Sequence, residues 1–211
     1  MIQQDPIECP CVEAVYAREL SHRAANALQQ AIAAVHLSKR GAVDLDEVMV
    51  RLHATAALHH VLGQASGGLV NAADEINDVC AASVAAAGAD DNVTVAVDLD
   101  AVLAERAVLR PVLMIVAELV SNALRHAFPE NFGTVHLEMR HSGMTTFLVV
   151  EDDGVCGGWH RPGGEGGGII DGLAHSAGGR VVRSLTPGGS SRVEVILPSL
   201  AAAAASPVGH A

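Results

Sequence analysis

Apolar residues recur at helical spacing from Val12 to Leu37, through Val15, Leu20, Ala24, Ala27, Leu28, Ala31, Ile32 and Val35, with no glycine or proline between them. Spacing of three and four residues draws one apolar stripe along a helix, so this stretch predicts a long amphipathic helix. Ser38-Lys39-Arg40-Gly41 breaks the pattern, and Leu45, Val48, Met49, Leu52 and Ala56 resume it from Asp44 to Leu62. Two helices joined by a short turn form an antiparallel hairpin. Such a hairpin cannot cover its own stripe, so it must meet another domain or its own copy in a four-helix bundle, and a homodimer is the expectation. Gly63-Gln64-Ala65-Ser66-Gly67-Gly68 reads as a linker, which places a hairpin domain at residues 1–66 and a second domain at 67–200.

Beyond the linker the periodicity mixes. Ala72 to Ala87 predicts a helix, Val93 to Val97 a strand, and Pro111 to Ala127 a helix entered by proline in its first turn. Thr134 to Arg140 and Thr145 to Glu151 alternate as strands around His141-Ser142-Gly143-Met144, which is hairpin chemistry. After a glycine-rich stretch from Gly154 to Gly168, a short helix from about Ile169 to Ser176 and strands Arg180 to Leu185 and Ser191 to Leu197 complete the domain. The composite is an α+β layer, a mixed sheet with helices on one face. Residues 201–211 form an Ala-rich, low-complexity tail, expected to be flexible.

Composition narrows the partners. Half the residues are hydrophobic but only 2% are aromatic, so the core must be built from Ala, Val, Leu and Ile. A formal charge of −11 and the lack of a Lys/Arg stripe argue against nucleic acid. A nucleotide's charge would have to be met locally, by Mg²⁺, a helix N-terminus or a few basic side chains. The stretch from Ala107 to Val120 is interrupted by Arg110, Pro111 and Glu118 and is shorter than a bilayer span, and no secretion signal opens the chain. A soluble cytoplasmic protein with reduced Cys9, Cys11, Cys80 and Cys156 is expected, its input arriving from another chain or through a surface of this one. His53, His59 and His60 lack an accompanying carboxylate or thiol cluster and read as surface histidines.

Three segments carry chemistry. On the first helix, His22, Asn26 and Gln29 share a polar strip, and Glu19, at i−3, is placed to hold one ring nitrogen of His22 while the other acts as a nucleophile. On the Pro111 helix, Glu118 and Asn122 are i, i+4 neighbours, so a carboxylate and an amide oxygen project toward a common point, a hard-oxygen pair suited to Mg²⁺. At a strand end, Asp152 is placed to accept the amino group of adenine, and the glycines that follow permit close approach of backbone to phosphate.

Taken together and in this order, the segments resemble the histidine-kinase family, in particular the subgroup whose phosphoacceptor segment reads Glu-Leu-x-His-Arg-x-x-Asn-x-Leu-Gln. Glu19, Leu20, His22, Arg23, Asn26, Leu28 and Gln29 match it; Glu118 to Leu124 match the family's N-box, Asp152 and Gly154 its Asp-x-Gly box, and Gly164 and Gly166 its Gly-x-Gly box. The resemblance covers about Val12 to Pro198. It implies a dimerising histidine-phosphotransfer hairpin followed by a Bergerat-type ATP-binding sandwich. By position it makes His22 the phosphoacceptor, Asn122 the Mg²⁺ ligand, Asp152 the adenine anchor and Glu118 the N-box acid, with ATP and Mg²⁺ as cofactors and a response-regulator receiver domain as partner.

The chain departs from the pattern in two places. Cys156 stands where the family usually continues Asp-x-Gly-x-Gly, and only six residues separate Gly157 from Gly164, which makes a short lid. These departures keep open a phosphorelay protein with a degenerate ATP site, which the presence of Glu118, Asn122 and Asp152 opposes. A receiver phosphatase using Asn26 is open on the same scaffold. An anti-sigma-like protein-binding regulator is the remaining alternative, and would leave His22 dispensable.

Overall fold

The computed structural model describes residues 44–64, 68–89, 92–128, 132–154 and 166–202 of the chain, together with individual helical positions between 21 and 36. Within the first predicted helix, Ser21, Ala24, Ala25, Leu28, Gln29, residues 31–33, Val35 and His36 are helical, whereas Glu19, His22 and Asn26 lie outside the described residues.

The second hairpin helix is α1 (Leu45–Gly63), opened by Asp44, whose carboxylate accepts the Asp46 N–H at 3.2 Å. A three-residue strand β1 (Leu69–Asn71) leads into α2 (Ala72–Ala87), capped by the Asn71 amide oxygen and closed by Gly88 in the left-handed conformation at φ 64°. There follow β2 (Val93–Leu99), β3 (Leu103–Glu105), α3 (Arg106–His126), β4 (Gly133–Ser142), β5 (Thr145–Asp152), α4 (Gly166–Ser176), β6 (Arg180–Leu185) and β7 (Ser191–Pro198). Five strands form one sheet in the order β2-β4-β5-β7-β6; β2 and β4 run parallel and every other neighbour is antiparallel. β1 and β3 make a separate antiparallel pair.

Strand alternation assigns the two faces. Val135, Leu137, Met139, Leu148, Val150, Val193, Val195 and Leu197 are buried toward the helices, and Glu138, Arg140, Glu151, Arg192 and Glu194 occupy the alternate positions on the open face. The α+β layer with helices on one face, as read from the sequence, is what forms. α3 runs through the middle of the helix layer between α2 and α4. It is long and apolar enough to cross a membrane by length and composition, and 72% of its apolar window is buried inside the fold. Cys80 of α2 is a free buried thiol whose pKa is pushed up to about 12 by desolvation, which makes it unreactive.

α1 is tied to this layer along its length. Leu58 and Leu62 join the same buried cluster as α2, α3 and the sheet. The Arg51 guanidinium donates to the Ala87 carbonyl at 2.9 Å, at the end of α2. At the other end, Arg106 donates to the Val61 carbonyl at 3.0 Å and forms an ion pair with Glu75, while its backbone N–H donates to Gly68 O at 3.0 Å. Arg106 therefore grips the chain on both sides of the glycine-rich linker.

Two local expectations need correction, and one pair of strands was not foreseen. α3 starts at Arg106, not at Pro111, so the proline is inside the helix. The anchoring of Arg106 and the burial of Leu109 and Arg110 outweigh the one backbone bond, to the Ala107 carbonyl, that Pro111 cannot make. α4 starts at Gly166, three residues before the predicted helix and within the stretch read as glycine-rich loop. Strands β1 and β3 had no expectation at all, because three residues are too few to show a period.

Candidate functional site

Glu118 and Asn122 lie one turn apart on α3, Glu118 buried and Asn122 half-buried. One turn further on, Arg125 spans both: its Nη2 donates to Asn122 Oδ1 at 2.9 Å and lies 3.7 Å from Glu118 Oε1, while its Nε donates to the Ser121 carbonyl at 3.1 Å. The i, i+4 geometry predicted for the carboxylate and the amide is present, and a cation already sits between the two oxygens. Placing Arg125 in the last turn also sets positive charge against the negative end of the helix dipole.

Asp152 ends β5 opposite Val135 of β4 and is buried, only 5% exposed. Desolvation raises its pKa above the ordinary carboxylate value; hydrogen bonds from the Ser191 backbone, the Gly154 N–H and the Ser191 hydroxyl oppose that shift, and the nearby Asp153 charge adds to it. The Gly154 N–H donates to Asp152 Oδ1 at 3.1 Å. Next to it, Asp153 Oδ1 accepts the Thr134 N–H at 2.7 Å and the Asp153 N–H donates back to the Thr134 carbonyl at 3.1 Å, which fixes the direction in which the chain leaves the sheet.

The two halves meet at a glycine. A Cβ built on Gly154 would lie 2.2 Å from the Ala127 carbonyl oxygen, so only a residue without a side chain fits between the end of β5 and the end of α3. Ala127 is five residues past Asn122, and Gly154 is two past Asp152, so this contact brings the α3 oxygens and the buried carboxylate to one end of the layer. Gly166 forms the first residue of α4, and Gly164 lies outside the described residues.

Two groups at this site were not singled out by sequence reasoning. Arg125 stood in the open, three residues after Asn122, and a helical-face reading would have found it. Ser191 gave no local signal; it reaches Asp152 because β7 pairs with β5.

The donor set suits a magnesium nucleotide. A buried carboxylate and a neutral amide oxygen share one cation, Arg125, and a second buried carboxylate has backbone and hydroxyl donors around it.

This architecture matches solved histidine-kinase structures. The histidine kinase domain of the Erythrobacter litoralis EL346 blue-light activated histidine kinase superposes with a TM-score of 0.57 over 92% of this chain and 94% of that one, at 21% identity. A structure of the blue-light activated kinase itself superposes with a TM-score of 0.53 at 23% identity, over 86% of this chain, which spans 62% of that one. The chain therefore has the histidine-kinase fold. No family model matches the sequence, and no curated protein does.

Proposed function

We propose that the chain is a histidine-kinase core that takes the γ-phosphoryl group of Mg·ATP onto His22 and hands it to an aspartate of a response-regulator receiver domain. The observation that carries this reading is the meeting of α3 and β5 at Gly154, which gathers Glu118, Asn122 and Asp152 at one end of a sandwich with the histidine-kinase fold. Asp152 would accept the adenine amino group, Asn122 would offer its amide oxygen to Mg²⁺ with Glu118 beside it, and Gly164 and Gly166 would let backbone approach the phosphates, while Gly154, packed on the Ala127 carbonyl, serves to hold the Asp152 strand end against α3. When bound, Mg²⁺ neutralises charge on the phosphate oxygens. One imidazole nitrogen of His22 bonds to the γ-phosphorus as the bond to the bridging oxygen breaks and ADP leaves with the electron pair; the proton on the other ring nitrogen passes toward Glu19. Positioning and electrostatics supply most of the acceleration.

Dimerisation through the hairpin is supported by apolar side chains on it that are exposed among the described residues. Leu28, Ile32, Val35, Leu45, Met49 and Val50 are exposed, while Val48, Leu58 and Leu62 of the same hairpin turn inward. Dependence on ATP and a receiver partner fits a cytoplasmic setting, and residues 1–66 and 67–200 act as phosphotransfer and nucleotide domains.

Incubation with γ-labelled ATP and Mg²⁺ tests the reading. Acid-labile label that is absent in His22→Ala supports it, and a folded protein that binds no nucleotide and takes no label refutes it. A second reading, a relay that takes phosphate onto His22 from a phosphorylated receiver, is favoured by Cys156 and the six-residue span between Gly157 and Gly164. It predicts labelling from the phosphorylated receiver but not from ATP.

A further inference from the structure

Arg125 is the feature of the site that the proposed chemistry leaves unused. Its guanidinium makes three contacts, each through a short local link: Asn122 Oδ1 at 2.9 Å, Glu118 Oε1 at 3.7 Å and the Ser121 carbonyl at 3.1 Å. The first two oxygens are those the proposed function assigns to the metal side of the nucleotide. A cation on Asn122 Oδ1 and a divalent metal on the same oxygen are alternatives, since both draw on the same lone pairs and repel each other at contact distance. The Arg125 side chain is 43% exposed, against 11% for Glu118. It is therefore able to leave, whereas the carboxylate stays.

We infer that Arg125 is an internal stand-in for the divalent cation. In the nucleotide-free state it satisfies Asn122 and neutralises Glu118, keeping two oxygens of like polarity together on one helix face. Metal–nucleotide entry displaces it from Asn122. Arg125 thus acts as a positioning residue that holds the donor pair ready and sets a threshold that the metal must exceed. This rests on the proposed reading of Asn122 as a metal ligand.

The geometry also explains why the order Glu118, Asn122, Arg125 suits the purpose. Spacings of four and then three residues place the three side chains on one helical face, with the cation nearest the C-terminus, where the helix dipole favours it. A merely structural network on that face would look the same, so stability alone does not test the idea.

The test is a thermodynamic cycle on ADP affinity by calorimetry, comparing saturating Mg²⁺ with EDTA in the wild type, Arg125→Gln, Arg125→Lys and Asn122→Ala. A direct contact between Arg125 and the phosphates would raise the ratio by weakening ADP binding in EDTA, so the stand-in role requires the rise to come from tighter binding in Mg²⁺, and a rise that comes only from weaker binding in EDTA overturns it. Removing a competing charge-assisted bond at a partly exposed position should raise the Mg²⁺ enhancement about three- to tenfold in Arg125→Gln. Arg125→Lys should lie between it and the wild type, and Asn122→Ala should lose the enhancement. An Arg125→Gln ratio equal to or below that of the wild type overturns the stand-in role. Failure of folded wild-type protein to bind ADP in either condition instead overturns the nucleotide reading beneath it, a result distinct from an unchanged ratio.

Discussion

Replacing Arg106 by methionine removes the side-chain half of the tie across the linker, to Val61 and Glu75, and leaves the backbone bond to Gly68 in place. The side chain is only 7% exposed and that of its partner Glu75 19%, so the change leaves a largely buried carboxylate without its cation and the Val61 carbonyl without its donor. Breaking a buried pair from one side costs about 3–5 kcal/mol; because Glu75 retains some access to water, about 2–3 kcal/mol is expected here. For a cooperative unit of this size that corresponds to a fall in thermal midpoint of about 6–9 °C. The assay is calorimetric unfolding of the wild type, Arg106→Met, Glu75→Leu, Arg106→Met/Glu75→Leu and the more exposed control Arg140→Met. Arg140 sits among Asp98, Asp100 and Glu138 on the open sheet face, where water screens the charges, so its loss should lower the midpoint much less than that of Arg106. The double variant, which removes both charges, should recover at least half of the loss. Arg106→Met unfolding together with Arg140→Met, or a double variant that falls by the sum of its singles, would refute the reasoning. Hydrogen exchange gives a second readout: amides of α1 should lose protection in Arg106→Met more than those of α4.

Further outcomes follow from the site and the hairpin. Gly154→Ala forces a Cβ to within 2.2 Å of the Ala127 carbonyl and should cost about 2–3 kcal/mol in chemical denaturation, whereas Gly168→Ala, with nothing within 4 Å, should be neutral or slightly stabilising. If both variants unfold at the same denaturant concentration, the contact is wrong. Because burial raises the Asp152 pKa, the folded state holds this proton to higher pH than the unfolded chain; its contribution is most favourable below about pH 4 and declines as pH rises through the native value. Asp152→Asn should therefore gain in thermal midpoint relative to the wild type as pH rises toward neutrality, while losing ADP binding; a variant that loses stability at pH 7 contradicts the desolvation argument. Val50→Glu on the exposed apolar face of α1 should turn a dimer into a monomer by light scattering, and a wild type already monomeric at micromolar concentration removes the dimer proposal.

Much of this molecule was legible from periodicity. α2 spans the stretch from Ala72 to Ala87 that its apolar spacing marks, and β6 runs from Arg180 to Leu185 as its pattern predicts. Glu118, Asn122 and Asp152 were legible because i, i+4 spacing and strand-end position are local properties. What sequence did not show is set by partners distant in the chain. The start of α3 depends on Arg106 meeting Glu75, 31 residues earlier, and β1 exists because Val70 pairs with Ala104. Ser191 reaches Asp152 only after β7 has paired with β5. Glu19, His22 and Asn26 lie outside the described residues, so their chemistry stands on sequence alone.

α3 also acts as a shaft whose two ends face different neighbours. Twelve residues separate Arg106 from Glu118, and at about 100° per residue the carboxylate is turned about 120° from the arginine, with Asn122 about 160° from it. The Arg106 end therefore looks toward α1 and the linker while the other end looks toward the candidate site. A single inserted residue between them would rotate one end by about 100° relative to the other and aim Glu118 and Asn122 into the packed layer. Conservative apolar exchanges along the shaft leave that angular phase intact. Insertions and deletions do not, so a change of length within α3 should uncouple the linker from the site even where every side chain at both ends is retained.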